Sequence, residues 1–187
     1  MRALVVYESM YGNTHAVAVS IAAGLSTRHD VTLVPVTRAT PELVAAADLL
    51  VAGGPTHLHR MSTAASRRWA ADAARKQGGR LTMDPDADGP GVRGWLEEAG
   101  SLGSLGGQNT LAVAFDTRLS GVPLFTGRAS RGISRLLAGH GCRMFAAPES
   151  FLVSKKDTLR DGEAARARAW GAMIGAAASD LYAPTVA

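Results

Sequence analysis

At 187 residues the chain fits one domain, long enough to bury a core without disulfides or metals. Its 47 % apolar and 19 % charged residues exclude a disordered or fibrous chain, and its single cysteine, Cys142, excludes a disulfide framework and a dithiol redox pair. A net charge of +4 and a pI near 9.7 suit an anionic ligand or an acidic partner, but arginines scattered without interleaved aromatics do not describe a nucleic-acid surface.

Met1-Arg2 runs directly into a strand-like segment, which leaves no room for a signal peptide, and no apolar stretch approaches the ~20 residues of a membrane span. The expected location is cytoplasmic. Cys142 reads as a small buried residue rather than a reactive thiol.

In chain order, Ala3–Tyr7 is a continuous apolar run, and similar runs follow at Val31–Val36, Leu49–Ala52, Leu111–Phe115 and Met144–Ala147. Without in/out alternation, such runs read as strands covered on both faces, as in a parallel sheet. Helical patterns lie between them. Val17, Ile21 and Leu25 recur every four residues after Thr14, a weaker helix follows Thr40 with Pro41 at its first position, and an alanine-rich helix runs from Ser62 to Lys76. Ala129, Ile133, Leu136 and Leu137 share one face before Gly139. The last helix carries Ala167, Trp170, Ile174, Ala177 and Leu181, with Asp161 as the expected N-cap and Glu163 in its first turn.

Strict alternation of five strands with helices predicts an α/β protein, a three-layer α/β/α sandwich on a five-stranded parallel sheet, and one domain spanning residues 1–187. Residues 78–107 fit poorly. They read as an insertion or loop excursion between the third helix and the fourth strand, with a short helix around Val92 to Ala99. Asp84, Asp86 and Asp88 alternate there, but no glutamate follows at the spacing a calcium loop requires, so a solvated loop is expected. Phe151 to Val153 reads as an extension of the fifth strand, and Lys155, Lys156 and Asp157 as an ordinary exposed turn.

The most informative stretch is Val5-Val6-Tyr7-Glu8-Ser9-Met10-Tyr11-Gly12-Asn13-Thr14. An apolar strand stops, a Ser/Gly/Asn/Thr loop follows, and a helix begins at once. Backbone N–H groups at a helix N-terminus, with the hydroxyls of Ser9 and Thr14 and the Asn13 amide, make a site for a phosphate monoester without a lysine. Gly12 permits the tight turn. The loop lacks both Gly-x-Gly-x-x-Gly and Gly-Lys-Ser/Thr, which disfavours a dinucleotide or a nucleoside triphosphate and points to a single phosphate, as in FMN.

Val5, Val6, Tyr7, Ser9, Gly12, Thr14, Ala18 and Ile21 resemble the flavodoxin signature at each of its constrained positions. The wording Ser-Met-Tyr-Gly-Asn-Thr is also similar to flavodoxin-like quinone reductases related to the Trp-repressor-binding protein, and Gly53-Gly54-Pro55-Thr56 continues the likeness. The resemblance implies the strand order 2-1-3-4-5 and FMN held by Ser9, Met10, Tyr11, Gly12, Asn13 and Thr14. It further implies that Pro55, Thr56, His57 and Leu58 face the flavin ring, and that the loop carrying Asp116, Thr117, Arg118 and Gly121 clasps its other side.

That third loop departs from the family pattern, since no aromatic appears before Phe125. His57 reads either as a hydrogen-bond partner at the ring edge or as an exposed loop histidine. Arg118 reads either as a counter-charge for reduced flavin or as a surface arginine. Arg128, Arg131 and Arg135 share a helix face, read as solvated or as a landing surface for an acidic partner or a nicotinamide phosphate. His57 and His59 lack further ligands for a metal. No side chain stands out as an acid, base or nucleophile. Three functions remain open: an FMN carrier passing electrons between a reductase and an acceptor protein, an FMN oxidoreductase passing electrons from NAD(P)H to a small-molecule acceptor such as a quinone, and a flavin-free binding or regulatory module.

Overall fold

The computed structural model describes residues 1–76, 81–101 and 110–182. In chain order the elements are β1 (Arg2–Tyr7), α1 (Asn13–Leu25), β2 (Asp30–Pro35), a 3-10 turn (Val36–Arg38), α2 (Pro41–Ala45), β3 (Leu49–His57), β4 (Arg60–Met61) and α3 (Ala64–Lys76). They continue with α4 (Val92–Ser101), β5 (Leu111–Leu119), α5 (Pro123–Thr126), α6 (Ala129–Gly139), β6 (Arg143–Met144), β7 (Glu149–Val153) and α7 (Glu163–Tyr182).

The sheet runs β2-β1-β3-β5-β6 with all these neighbours parallel; β7 lies beside the far half of β5, and the two residues of β4 pair antiparallel with the end of β3. The class is as expected, but the order differs slightly from the five-stranded 2-1-3-4-5: among the described residues the sheet has seven strands, β5 takes the fourth place, and β6 and β7 share the fifth. The fifth strand differs from expectation. Met144–Ala147 is not its body: while β5 advances from Ala112 to Phe115, its partner advances from Met144 to Glu149, two residues more. Pro148, which has no N–H to give a ladder, stands in the interruption. The supposed extension at Phe151–Val153 belongs to the longer half.

Two-residue periodicity sorts the strands into two cores. Ala3, Val5 and Tyr7 of β1 face a cluster with Leu49 and Val51 of β3 and with Val113 and Phe115 of β5, covered by α1 and α7. Leu4, Val6, Leu50, Ala52, Ala112 and Ala114 face the opposite cluster, covered chiefly by Ile133 and Leu137 of α6 and by Val92, Trp95 and Leu96 of α4. Each fully buried Leu, Ile or Phe contributes about 1.5–3 kcal/mol. Cys142 is buried, and burial pushes its thiol up to about 11. Gly162, at φ 81°, precedes α7 where Asp161 was expected as the cap, and Glu163 instead accepts from the Leu152 N–H and from Arg166.

α7 is fastened to the sheet by aromatics. Phe151 meets Phe115 edge-on at 6.4 Å and Trp170 at 6.0 Å, and the Arg166 guanidinium lies 4.4 Å from the Phe151 ring centre. α7 then closes onto α1 backbone to backbone: a Cβ on Gly171 would run into the carbonyl of Ile21, and one on Gly24 into that of Arg168.

The residues after position 80 are not a solvated loop. Asp84 is buried; its N–H donates to the Met10 carbonyl at 2.8 Å and its carboxylate meets His15 Nδ1 at 3.3 Å. Tyr7 stacks on His15 with ring centres 4.6 Å apart and donates its hydroxyl to Asp86, which also pairs with Arg38. Burial first, and the charges of Asp86 and Asp84 next, push the Tyr7 phenol up to about 12. Among the described residues no group of three or more candidate ligands is placed to hold a metal. Of the anticipated excursion, residues 78–80 and 102–107 lie outside the described residues, while α4 matches the short helix expected at Val92–Ala99.

Glu8 ties this segment down. It is 6 % exposed, takes the Ser62 hydroxyl on one oxygen and accepts the Val92 N–H at 2.8 Å on the other. Burial raises its carboxyl above the ordinary value, while Ser62, Val92 and the nearby charges of Arg67 and Arg93 oppose the rise.

Gly171→Ala should destabilise the protein by about 1–3 kcal/mol, the overpacking cost outweighing the ~0.5–1 kcal/mol helix gain; a denaturant midpoint at or above wild type contradicts the backbone contact. Because the folded-state affinity of Glu8 for its proton is raised, the folded chain binds more protons than the unfolded one above the ordinary carboxylate value of 4.5, so stability declines as pH rises through that window. Asp116, also raised by burial, acts in the same sense. Thermal unfolding followed from about pH 5 to about pH 7 should fall less steeply for Glu8→Gln than for wild type; parallel profiles contradict the assignment.

Candidate functional site

Tyr7, Gly53 and Phe115 stand in one row of the parallel sheet, so the loops leaving β1, β3 and β5 emerge side by side. The β1–α1 loop turns on Gly12, whose φ of 86° puts it in the left-handed region and above which a Cβ would meet nothing within 4 Å. No side chain caps the N-terminus of α1, so its first N–H groups have no capping partner. Ser9 Oγ accepts the Gly12 N–H at 3.1 Å and keeps its own proton to give. Thr14 and Thr117 share a hydroxyl bond of 2.7 Å, in which one proton is still uncommitted. Asn13 Nδ2 donates to the Asp157 carbonyl at 2.8 Å, and Tyr11 donates its hydroxyl to the Ala70 carbonyl at 2.8 Å.

The β3 loop is a tight hairpin. His57 pairs with Arg60 across it, and the two residues between, Leu58 at φ 47° and His59 at φ 70°, are both left-handed. Such a two-residue turn suits Asn-Gly, and Leu-His holds it under strain. Pro55 and Thr56 precede it, and Thr56 Oγ1 accepts the Ala129 N–H at 3.0 Å, capping α6. Thr63 and Ser66 bond reciprocally at the head of α3, so that helix starts at Ala64 rather than at Ser62. His57 Nδ1 meets Ser66 Oγ at 3.3 Å; burial first, and the charge of Arg67 next, lower its pKa, so it stays neutral near pH 7. His57 is therefore not an exposed loop histidine.

The β5 loop divides its residues. Thr117 points to α1, while its neighbour Asp116, on the other face, accepts the Ser130 N–H at the head of α6 at 2.8 Å and is fully buried. Asp116 is thus a structural carboxylate away from the cleft. Arg118 Nη1 donates to the carbonyls of Leu119 and Gly121 and to Thr126 Oγ1, so Gly121 fastens the arginine rather than lining the site. Arg118 is a buried loop brace, not a surface arginine.

These loops enclose a cleft of about 380 Å³. Met10, Tyr11, Asn13 and Thr14 form its floor, Pro55, Thr56, His57 and Leu58 one wall, and Thr117 and Arg118 another. Ser9, Gly12, Asp116 and Gly121 do not line it. Sequence reasoning missed Ser66, Trp69, Leu119, Val153 and Asp157. Trp69 matters most: it is 63 % exposed on α3 and supplies the aromatic wall that the loop after β5 lacks. A tryptophan alone among Ala and Arg on a helix with little apolar face was its signal. Asp157, expected in an ordinary exposed turn, joins through its carbonyl and its φ of 54°.

The volume lies within the ~300–1,000 Å³ typical of cofactor sites. The donors fit FMN in kind: backbone N–H groups, hydroxyls and open space above Gly12, with Trp69, Pro55 and Leu119 as apolar lining of the same cleft. The flavodoxin family model matches residues 5–93, which include the first loop and the hairpin. The sequence has no match among curated proteins. Among solved structures, an archaeal flavodoxin superposes with TM-score 0.61 at 17 % identity, covering 96 % of this chain and 99 % of its own. Oxidised flavodoxin 1 from Bacillus cereus gives 0.62 at 14 %, covering 98 % and 100 %. A flavodoxin, WrbA-like protein from Agrobacterium tumefaciens gives 0.56 at 21 %, covering 96 % and 98 %. Family model and fold agree in what they resemble: residues 5–93 match the flavodoxin family, the fold is flavodoxin-like, and FMN is the cofactor this likeness implies.

Proposed function

We propose that this chain is an FMN electron carrier, receiving electrons from a reductase and delivering them to a redox partner protein. The observation that carries the reading is the uncapped head of α1 above Gly12, beside a cleft lined by hydroxyls and by aromatic and aliphatic side chains. FMN, when bound, supplies the chemistry, accepting a hydride or single electrons and passing them on.

The chain's own residues bind and tune. Asn13, Thr14 and Thr117 are the polar side chains available to a phosphate dianion beside the α1 N–H groups. Arg118, braced by three acceptors, holds a positive charge at the cleft wall that lowers the cost of negative charge arriving there. Neutral His57, oriented by Ser66, offers a hydrogen bond at the hairpin side.

A carrier is favoured over a self-sufficient oxidoreductase by the rim of the cleft. Leu58, Trp69 and Leu119 expose apolar surface there, and Val122, Leu124 and Phe125 extend it beyond β5. Exposed apolar surface of this extent marks a docking face. Among the described residues no helix is long and apolar enough to cross a membrane, so the reading is of a freely diffusing carrier.

Titration with FMN should quench flavin fluorescence at a 1:1 ratio, and riboflavin, which lacks the phosphate, should bind at least ~100-fold more weakly, about 2.7 kcal/mol. Thr14→Val should weaken FMN by about tenfold while leaving riboflavin unchanged. No response to FMN would leave a flavin-free module; bleaching of the yellow holoprotein by NAD(P)H with no second protein present would make it an oxidoreductase acting on a small-molecule acceptor.

A further inference from the structure

A second cavity, larger than the cleft, lies beside β4 and α6. It measures about 680 Å³ and shares no lining residue with the cleft. Five arginines surround it: Arg60 from β4, Arg93 from α4, and Arg128, Arg131 and Arg135 from the head and one face of α6. Among the described residues no aspartate or glutamate lines it and none of the five arginines is in an ion pair.

Three features set it apart from a solvated basic face. The arginines converge on a concavity from three elements, whereas a solvated face needs only one. Arg128 Nε is buried without a hydrogen-bond partner, a donor that the fold itself leaves unsatisfied. The N–H groups of Ala129 and Ser130 at the head of α6 are already taken by Thr56 and Asp116, so the positive potential is that of the guanidinium groups. Arg93 is held in place by the carbonyls of Ser62 and Met61, which fixes one side of the cavity. Like charges crowded without counter-ions favour a multiply charged anion, and planar guanidinium forks match phosphoryl oxygens two at a time. The concave shape and the volume suit a small molecule rather than a flat protein surface.

We propose that this arginine pocket binds a small molecule carrying two or more phosphoryl groups. The site stands independently of the flavin cleft. The His57–Arg60 hairpin runs between them: its residues Leu58 and His59 line the cleft and the pocket respectively. Either a free oligophosphate or the phosphates of a nucleotide carries the required chemistry.

The test is calorimetric titration of the full chain saturated with FMN, so that the phosphate loop is already filled, with orthophosphate, pyrophosphate, tripolyphosphate and ADP. The expected result is 1:1 binding that tightens from orthophosphate to tripolyphosphate and weakens as salt is raised. Arg131→Ser with Arg135→Ser, both on exposed positions of α6, should lower affinity at least ~tenfold without moving the thermal midpoint or the FMN quench. Equal affinity for pyrophosphate and ADP assigns the free oligophosphate; tighter ADP assigns a nucleotide. The proposal is overturned by absence of heat up to millimolar concentrations, by binding that the double substitution leaves intact, or by binding of a poly-glutamate peptide but of none of the phosphates. A chain that fails to quench FMN but still binds pyrophosphate through Arg131 and Arg135 refutes the carrier reading and leaves this one standing.

Discussion

In-register parallel pairing of β1, β3 and β5 is the constraint on which the rest depends. Tyr7, Gly53 and Phe115 share a row, and everything that forms the cleft leaves the sheet within a few residues of it. A parallel sheet sends all its strands out at the same end, so three loops far apart in sequence become neighbours there. A one-residue slip between β3 and β5 would exchange Asp116 and Thr117 between the two faces. That would remove the hydroxyl that reaches Thr14 and set a carboxylate against the phosphate loop.

Buried polar groups then fix the loops to one another. Glu8 joins the end of β1 to the heads of α3 and α4 through Ser62 and Val92, Asp116 joins β5 to the head of α6, and Asp84 joins the segment after position 80 to Met10. Glu8 and Asp116 do so with carboxylates that accept backbone N–H groups at helix heads, whereas Asp84 donates its own N–H to the Met10 carbonyl. Such an arrangement costs desolvation, and its return is a single geometry rather than extra stability.

Much of this was legible from the sequence. Continuous apolar runs at Ala3–Tyr7, Leu49–Ala52 and Leu111–Phe115 marked the central strands, and Gly12 between Tyr11 and Asn13 marked the turn. The fifth strand misled because Met144–Ala147 is apolar for packing, while the ladder runs through the less uniform Glu149–Val153. Asp116 misled because at the end of a strand, neighbours face opposite ways and sequence spacing does not say which turns inward. Trp69 and Asp157 were missed for a different reason. Each reaches the cleft only through tertiary placement, and although Trp69 stands out on its helix, the sequence does not say what it faces. The arginines of α6 were visible as a stripe, but only the fold brings Arg60 and Arg93 to meet them.

The close approach of Gly24 and Gly171 gives the C-terminal helix an unexpected standing. α7 contributes nothing to the cleft walls, yet with main chain resting on main chain, α1 has no freedom to slide or roll beneath its own first turn. The attitude of the β1–α1 loop near residue 12 is thereby constrained by residues some 150 positions downstream, with the Asn13–Asp157 bond as a second tether from the same quarter. The last helix thus fixes the seat of the first, which makes it a silent component of the cleft it never touches.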